Sequence, residues 1–411
     1  MVLSSALLSL LLLALSTVNA TPITRDGSSS QPLVLASKIN SVGATNLAQI
    51  DRARTSRLLA NVNASAKGKR AADPVSATNA IVSYTASVGV GSPAIRYKLL
   101  IDTGSSNTWI GAGKTKYKPS KSSTKTNETM SVAYGTGSVQ GDEYLDTVTI
   151  GKGLVIQQQS IGVAINSSGL DKVDGILGLG PTDLSASSLS GGKTVPTVMD
   201  NLYKSGEISD QVLGVFFQPT SESNNMSKSG ELLFGGVDSS KTSTPVAYVS
   251  VTKTSPASEF WGIDQSITYG TSKILSSKAG IVDTGTTLVL LATDAYKSYV
   301  KATGGVFDET TGLLEITKGQ YSALKPLRFE IGSNTYVFSA NAQIWPRAFN
   351  SQIGGKTESI YLIVADLGDN TQVGFQYVLG MAFLQRFYSA YDTGKKQVGL
   401  ATTAFTNAIS N

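Results

Sequence analysis

From Ile81 to the C-terminus, apolar and β-branched residues come in short runs separated by Gly, Ser, Thr, Asn and Lys. Runs of that length, bounded by turn formers, read as strands. They predict strands at Ile81–Val90, Arg96–Ile101, Ser131–Tyr134, Leu145–Ile150, Val155–Ala164, Val246–Thr252, Tyr336–Ser339 and Tyr361–Val364. Helical spacing is brief here, at Val195–Lys204 and Thr293–Ala302. The Gly-, Ser- and Lys-rich pieces Gly111–Asn127 and Ser221–Ser229 read as exposed loops.

The first 70 residues are patterned differently. Met1 precedes a Leu-rich run from Leu3 to Leu15 and then Val18-Asn19-Ala20, the arrangement of an export signal cut after a small residue. The run is shorter than the ~20 residues needed to span a bilayer. Pro32–Lys38 reads as a strand. Asn46–Asn61 reads as a polar helix with Leu47, Ile50 and Leu58 on one side and three arginines, Arg52, Arg54 and Arg57. Lys67-Gly68-Lys69-Arg70 is a dibasic end, the kind cut by processing proteases, and it places a cleavage between Arg70 and Ala71. The expected organisation is therefore a signal at 1–20, a basic leader at 21–70, and two lobes at 71–245 and 246–411. Their boundary falls at the turn-rich stretch Gly235–Pro245.

Charge supports the division. Residues 1–70 carry 8 Lys and Arg against 2 Asp and Glu; the rest of the chain has 26 against 27. The net charge of +5 thus belongs to the leader, and the body lacks the basic excess of a nucleic-acid binder. With 411 residues there is enough chain for a large core without disulfides. His and Cys are both absent. That excludes a Ser-His-Asp triad, a catalytic thiol and a zinc site built from His or Cys, and no cofactor or metal is expected. Carboxylates, hydroxyls and lysines remain.

Two stretches nearly repeat each other: Leu99-Leu100-Ile101-Asp102-Thr103-Gly104-Ser105-Ser106 and Gly280-Ile281-Val282-Asp283-Thr284-Gly285-Thr286-Thr287. Each is an apolar strand ending in an aspartate whose burial as an anion would be costly. Downstream of each lies a second apolar-Gly stretch, Asp174–Gly180 and Tyr377–Phe383. Repeated in the same order, these features predict a duplicated all-β, bilobal fold with one carboxylate per copy and a cleft between the copies. If Asp102 and Asp283 meet there, like charges in contact leave the pair holding one proton over a broad acidic range. The pair is then a base and an acid together. The ionised member draws a proton from water, the protonated member donates to a carbonyl, and an amide is hydrolysed.

On these residues the chain resembles the pepsin-family aspartic peptidases made as zymogens, most of all the fungal polyporopepsin-type branch. The resemblance covers essentially all of 71–411. It implies that Asp102 and Asp283 are catalytic and that Ser105 and Thr286, beside Thr103 and Thr284, support them. It also implies that Tyr134, Gly135 and Thr136 in Ala133-Tyr134-Gly135-Thr136-Gly137-Ser138 form a closing flap steadied by Trp109. Gly104, Gly285, Thr286 and Thr287 would line a peptide bound as an added strand. Thr136, where some fungal members carry an acid, implies a preference for large apolar residues around the cut.

The leader would be an intramolecular inhibitor, with a lysine reaching the dyad as in family zymogens; Lys38, Lys67 and Lys69 are the candidates. The expected product is a monomeric, secreted endopeptidase, extracellular rather than vacuolar, acting on proteins or peptides and free of membrane once the signal is removed. Asn127, Asn166 and Asn225 head N-glycosylation triplets, as does Asn63 in the leader. Two rival readings fit the residues less well. A glycosidase would not require both carboxylates in Asp-Thr-Gly turns. An inactive binding or inhibitor protein of the same fold would typically have lost an aspartate or the flap tyrosine, and all are present.

Overall fold

The computed structural model describes residues 32–39, 46–66, 82–134, 137–219 apart from 152, 171 and 187, 228–368 and 375–411. The signal, the Arg70–Ala71 junction, Lys67, Lys69, Gly135, Thr136 and Asn225 lie outside these residues, as does the side chain of Lys38.

The all-β expectation holds. A 13-stranded sheet, a 7-stranded sheet and a 3-stranded sheet account for the bilobal body, with five α-helices among the described residues. Each apolar run preceding an Asp-Thr-Gly is a buried strand, Ile95–Asp102 and Ser272–Val282. Each pairs in parallel with the second apolar-Gly stretch of its own copy: Leu99–Asp102 with Gly175–Gly178, and Ile281–Val282 with Val378–Leu379. A third short strand closes each motif on the opposite side, Trp109–Ile110 against Ile176 and Gly175, and Val289–Leu291 against Leu379–Tyr377. The duplication is therefore structural. Leu99, Ile101, Leu177, Ile281, Val282 and Leu379 are all buried, which holds each aspartate on an immobile base.

The strand boundaries reveal what a polar edge conceals. Thr124–Tyr134 is a single strand, although its first residues fall in the stretch read as loop. Thr124 and Lys125 pair with Leu145 and Tyr144, then the register shifts before Thr129 meets Asp142. An edge strand half in solvent needs no apolar alternation, so Thr-Lys-Thr-Asn-Glu carries no strand signature. Its partner extends over Gly137–Ile150 rather than beginning at Leu145, and the next strand over Leu154–Ser168. Asn127 and Asn166 are exposed on these strands.

The segment expected to be a leader is part of the fold. Its strand, Leu33–Ile39, lies between Gly230–Phe234 and Val82–Val90, antiparallel to both. The helix runs over Leu47–Ala66, longer than the pattern indicated, and Leu47, Ile50, Leu58 and Leu59 on it are buried. None of the described helices is long and apolar enough to cross a membrane.

At the far end, the buried Arg386 donates to the carbonyls of Phe405 (3.1 Å) and Ala408 (2.6 Å) and to Asn341 Oδ1 (3.3 Å), clasping the C-terminal segment. Arg386→Met would strand those acceptors, and should lower stability by about 2–4 kcal/mol; equilibrium denaturation checks this.

Candidate active site

Two tight turns face each other at the centre of the molecule. Thr103 N–H donates to Thr284 Oγ1 at 2.9 Å, and Thr284 N–H donates to Thr103 Oγ1 at 3.0 Å. Each hydroxyl then donates across to the partner strand, Thr103 to Val282 O (3.4 Å) and Thr284 to Ile101 O (3.1 Å). All four groups are buried, so they cannot exchange with water without loss.

The carboxylates ride on this brace and are fully buried. Their contacts repeat. Asp102 Oδ1 accepts from Gly104 N–H (3.0 Å) and Oδ2 from Ser105 Oγ (2.5 Å). Asp283 Oδ1 accepts from Gly285 N–H (2.9 Å) and Oδ2 from Thr286 Oγ1 (2.6 Å). The glycines are needed for space: a Cβ on Gly104 would lie 2.6 Å from Asp283 Oδ1, and one on Gly285 would strike Arg54.

Arg54, from the helix Leu47–Ala66, stands between the carboxylates. Its Nη2 reaches Asp102 Oδ1 at 2.6 Å and Asp283 Oδ1 at 2.9 Å, and its Nε reaches Asp283 Oδ2 at 2.8 Å. One nitrogen touching both inner oxygens shows that the pair faces a common point. This corrects the expectation of a lysine: the cation at the dyad is an arginine. The reason is geometric. A planar fork serves three carboxylate oxygens at once, which a single ammonium meets less well.

Burial disfavours the anion at both aspartates. On Asp283 this is outweighed by the double contact with Arg54, together with Thr286 and Gly285, and its pKa lies below the ordinary carboxylate value. Asp102, with one Arg54 contact, stays raised by burial and by the charge of Asp283.

Tyr134 is buried and its hydroxyl accepts from Trp109 Nε1 at 2.8 Å; burial and the nearby Asp102 push its pKa up. The helix fastens to the adjoining strand through Asn61 Nδ2, which donates to Ala133 O at 2.8 Å. Beside Tyr134 lies a cavity of roughly 370 Å³, lined by Ser105, Leu184 and Phe260 and, from the helix, by Leu58 and Val62. On the opposite side of the dyad, Thr287 and Leu288 donate their N–H groups to the carboxylate of Asp51, and Thr287 Oγ1 has no partner among the described residues. No His, Cys, Asp and Glu grouping suited to a metal occurs among the described residues.

Sequence reasoning placed the aspartates, their hydroxyl neighbours, Tyr134 and Trp109 but missed Asp51, Arg54 and Asn61. A signal existed. Leu47, Ile50, Asp51, Arg54, Leu58 and Asn61 follow one helical face, so polar residues interrupt an otherwise apolar stripe. Removing one brace hydroxyl should be felt at once: Thr103→Val or Thr284→Val is expected to cost about 1–3 kcal/mol in stability by thermal or denaturant unfolding, each leaving a buried N–H unpaired.

Comparison with known proteins accords with this geometry. The family described as eukaryotic aspartyl protease matches residues 83–403. Polyporopepsin of Irpex lacteus is 55% identical over 344 residues, covering 83% of this chain and 100% of that protein. Rhizopuspepsin-1 of Rhizopus niveus is 33% identical over 338 residues, 79% of each. The crystal structure of the aspartic proteinase from Irpex lacteus superimposes with a TM-score of 0.77 at 54% identity, covering 80% of this chain and 96% of that one. The chain belongs to the eukaryotic aspartyl proteases and is a pepsin-like aspartic endopeptidase.

Proposed function

We propose that the chain is the precursor of a secreted, acid-acting endopeptidase in which Asp102 and Asp283 carry the chemistry and the leader keeps them silent. The observation that carries this reading is Arg54, held by both carboxylates in the position a scissile amide would need. With the leader in place the cleft is occupied from Thr287 to Tyr134. With it removed, no cation neutralises the dyad, and the pair shares a proton instead.

In the freed enzyme, Ser105 and Thr286 hold the outer oxygens, leaving the inner ones for water. The ionised aspartate takes a proton from that water as it adds to the amide carbon. The protonated aspartate donates to the carbonyl oxygen, and a proton later reaches the leaving nitrogen. Tyr134, held by Trp109, with Gly135 and Thr136 would close over the peptide and exclude bulk water. Gly104, Gly285, Thr286 and Thr287 would pair with its main chain. The cavity beside Tyr134, lined in part by Leu184 and Phe260, suits a large apolar side chain next to the cut.

Leader cleavage after Arg70 by a dibasic-site protease, export by the 1–20 signal and glycosylation at the exposed Asn127 and Asn166 belong to the same reading. The inactive-relative alternative has no observation in its favour.

The pH dependence follows from linkage. Arg54 lowers the pKa of Asp283 while docked, so this contact stabilises docking above the ordinary carboxylate pKa of 3.8 and is lost as pH falls through the lowered value. Precursor should therefore be inactive on casein near neutral pH and lose its leader on acidification; an active, uncleaved precursor at pH 7 contradicts the reading.

Two substitutions separate the parts. Asp283→Asn in the processed enzyme should abolish hydrolysis of denatured haemoglobin at pH 3–5 while leaving the fold, as read by circular dichroism, intact. Arg54→Gln should let the precursor bind a statine-type inhibitor at least about tenfold more tightly at pH 6, since breaking a buried ion pair costs several kcal/mol.

A further inference from the structure

One turn before Arg54, the leader helix buries a second charged group that the dyad does not explain. Asp51 is 2% exposed. Its Oδ1 accepts from Thr287 N–H (3.2 Å), and its Oδ2 from Thr287 N–H (3.1 Å) and Leu288 N–H (2.8 Å). These donors sit immediately after Asp283-Thr284-Gly285-Thr286, on the wall where a bound peptide would lay its carbonyls. A carboxylate at i and a guanidinium at i+3 on one helical face thus take the main-chain donors and the catalytic acceptors together.

We propose that Asp51 is a second lock on the precursor, occupying substrate-binding main-chain donors and confining latency to a pH window rather than a single threshold. This rests on the reading of the leader as inhibitor, and adds to it the direction in which each limb of the profile runs.

The groups around Asp51 set that direction. On its own helix are Arg54 and Arg52; across from it is Asp283. Strand Val364–Asp366 packs on the helix and brings Asp366, which lines a cavity with Arg52, Lys297 and Lys301. At the helix start, Leu47 N–H donates to Thr311 O at 2.8 Å, and nearby Asp308 is held by the Thr311 N–H and hydroxyl. From strand Thr124–Tyr134 comes Tyr134, facing Arg54. Burial outweighs the Thr287 and Leu288 hydrogen bonds and Arg54, and the Asp51 pKa is pushed up to about 7.

A carboxyl raised in the docked state binds its proton more tightly there than when free. Docking therefore gains strength as pH falls below about 7, and loses it as pH rises through that value. Arg54 with Asp283 gives the opposite limb, losing strength in acid. Mild acidification tightens the helix first; only further acid, protonating the dyad, frees it.

The test is the affinity of a statine-type inhibitor for full-length precursor, divided by its affinity for processed enzyme, from about pH 2.5 to about pH 7.5. Short incubations keep the precursor intact at the acid end. Dividing cancels the dyad's own effect on inhibitor binding. The wild-type ratio should fall by roughly tenfold from pH 7.5 to 6, keep falling to a minimum near the ordinary carboxylate value, and rise again only in stronger acid, where the Arg54–Asp283 contact is lost. Asp51→Asn should abolish the neutral-side rise and keep the acid-side rise. A wild-type ratio flat above pH 6, or a neutral-side rise unchanged in Asp51→Asn, overturns the role of Asp51 while leaving the Arg54 lock standing. A ratio near one at every pH removes both. The wild-type profile alone decides the matter if the variant precursor fails to fold.

Discussion

The mutual hydrogen bonds of Thr103 and Thr284 are the constraint on which the remaining structure depends. Two turns from distant parts of the chain each supply an N–H and a hydroxyl to the other, in a region without access to water. Neither turn can satisfy its buried polar groups alone, so the two copies must meet in one register. The parallel strands Gly175–Gly178 and Tyr377–Leu379 then fix the base under each turn. Trp261 adds a bond from the second copy to the first, its Nε1 donating to Leu179 O at 3.0 Å.

The electrostatic consequence is severe. Two carboxylates locked in one buried space cannot both remain ionised without compensation. In the structure Arg54 supplies it, touching both carboxylates. The same demand accounts for the form of the N-terminal segment, which carries a cation onto the dyad on a rigid element. A 20-residue helix anchored by a strand in the central sheet does so. Along it, Asp51, Arg54, Leu58 and Asn61 meet successive parts of the cleft, from the Thr287 wall to the strand bearing Tyr134.

Legibility followed burial. Ile95–Asp102, Val82–Val90 and Tyr377–Leu379 are enclosed by other elements, so apolar composition marked them plainly. Thr124–Lys125 at the sheet edge took its strand state from pairing with Leu145 and Tyr144, a fact with no trace in its own residues. Of the site, Asp102 and Asp283 were legible because a repeated frame marks them, while Ser105, Thr286 and Trp109 were placed by the family resemblance of the same motifs. Arg54 was not, because its partners lie 48 and 229 residues away, and nothing in the leader tells which of its basic residues points inward.

The amino-acid order by itself determined the all-β character, the duplication, the exclusion of chemistry built on histidine or cysteine, and the two aspartates as the pair to watch. These are local properties: strand runs, turn glycines and residue types do not depend on what lies across the molecule. Only the tertiary structure decided which cation neutralises the pair, which donors Asp51 covers and how far the edge strands run. Each of those depends on desolvation and on distances between segments remote in sequence, and such quantities come into existence only when the chain has closed on itself.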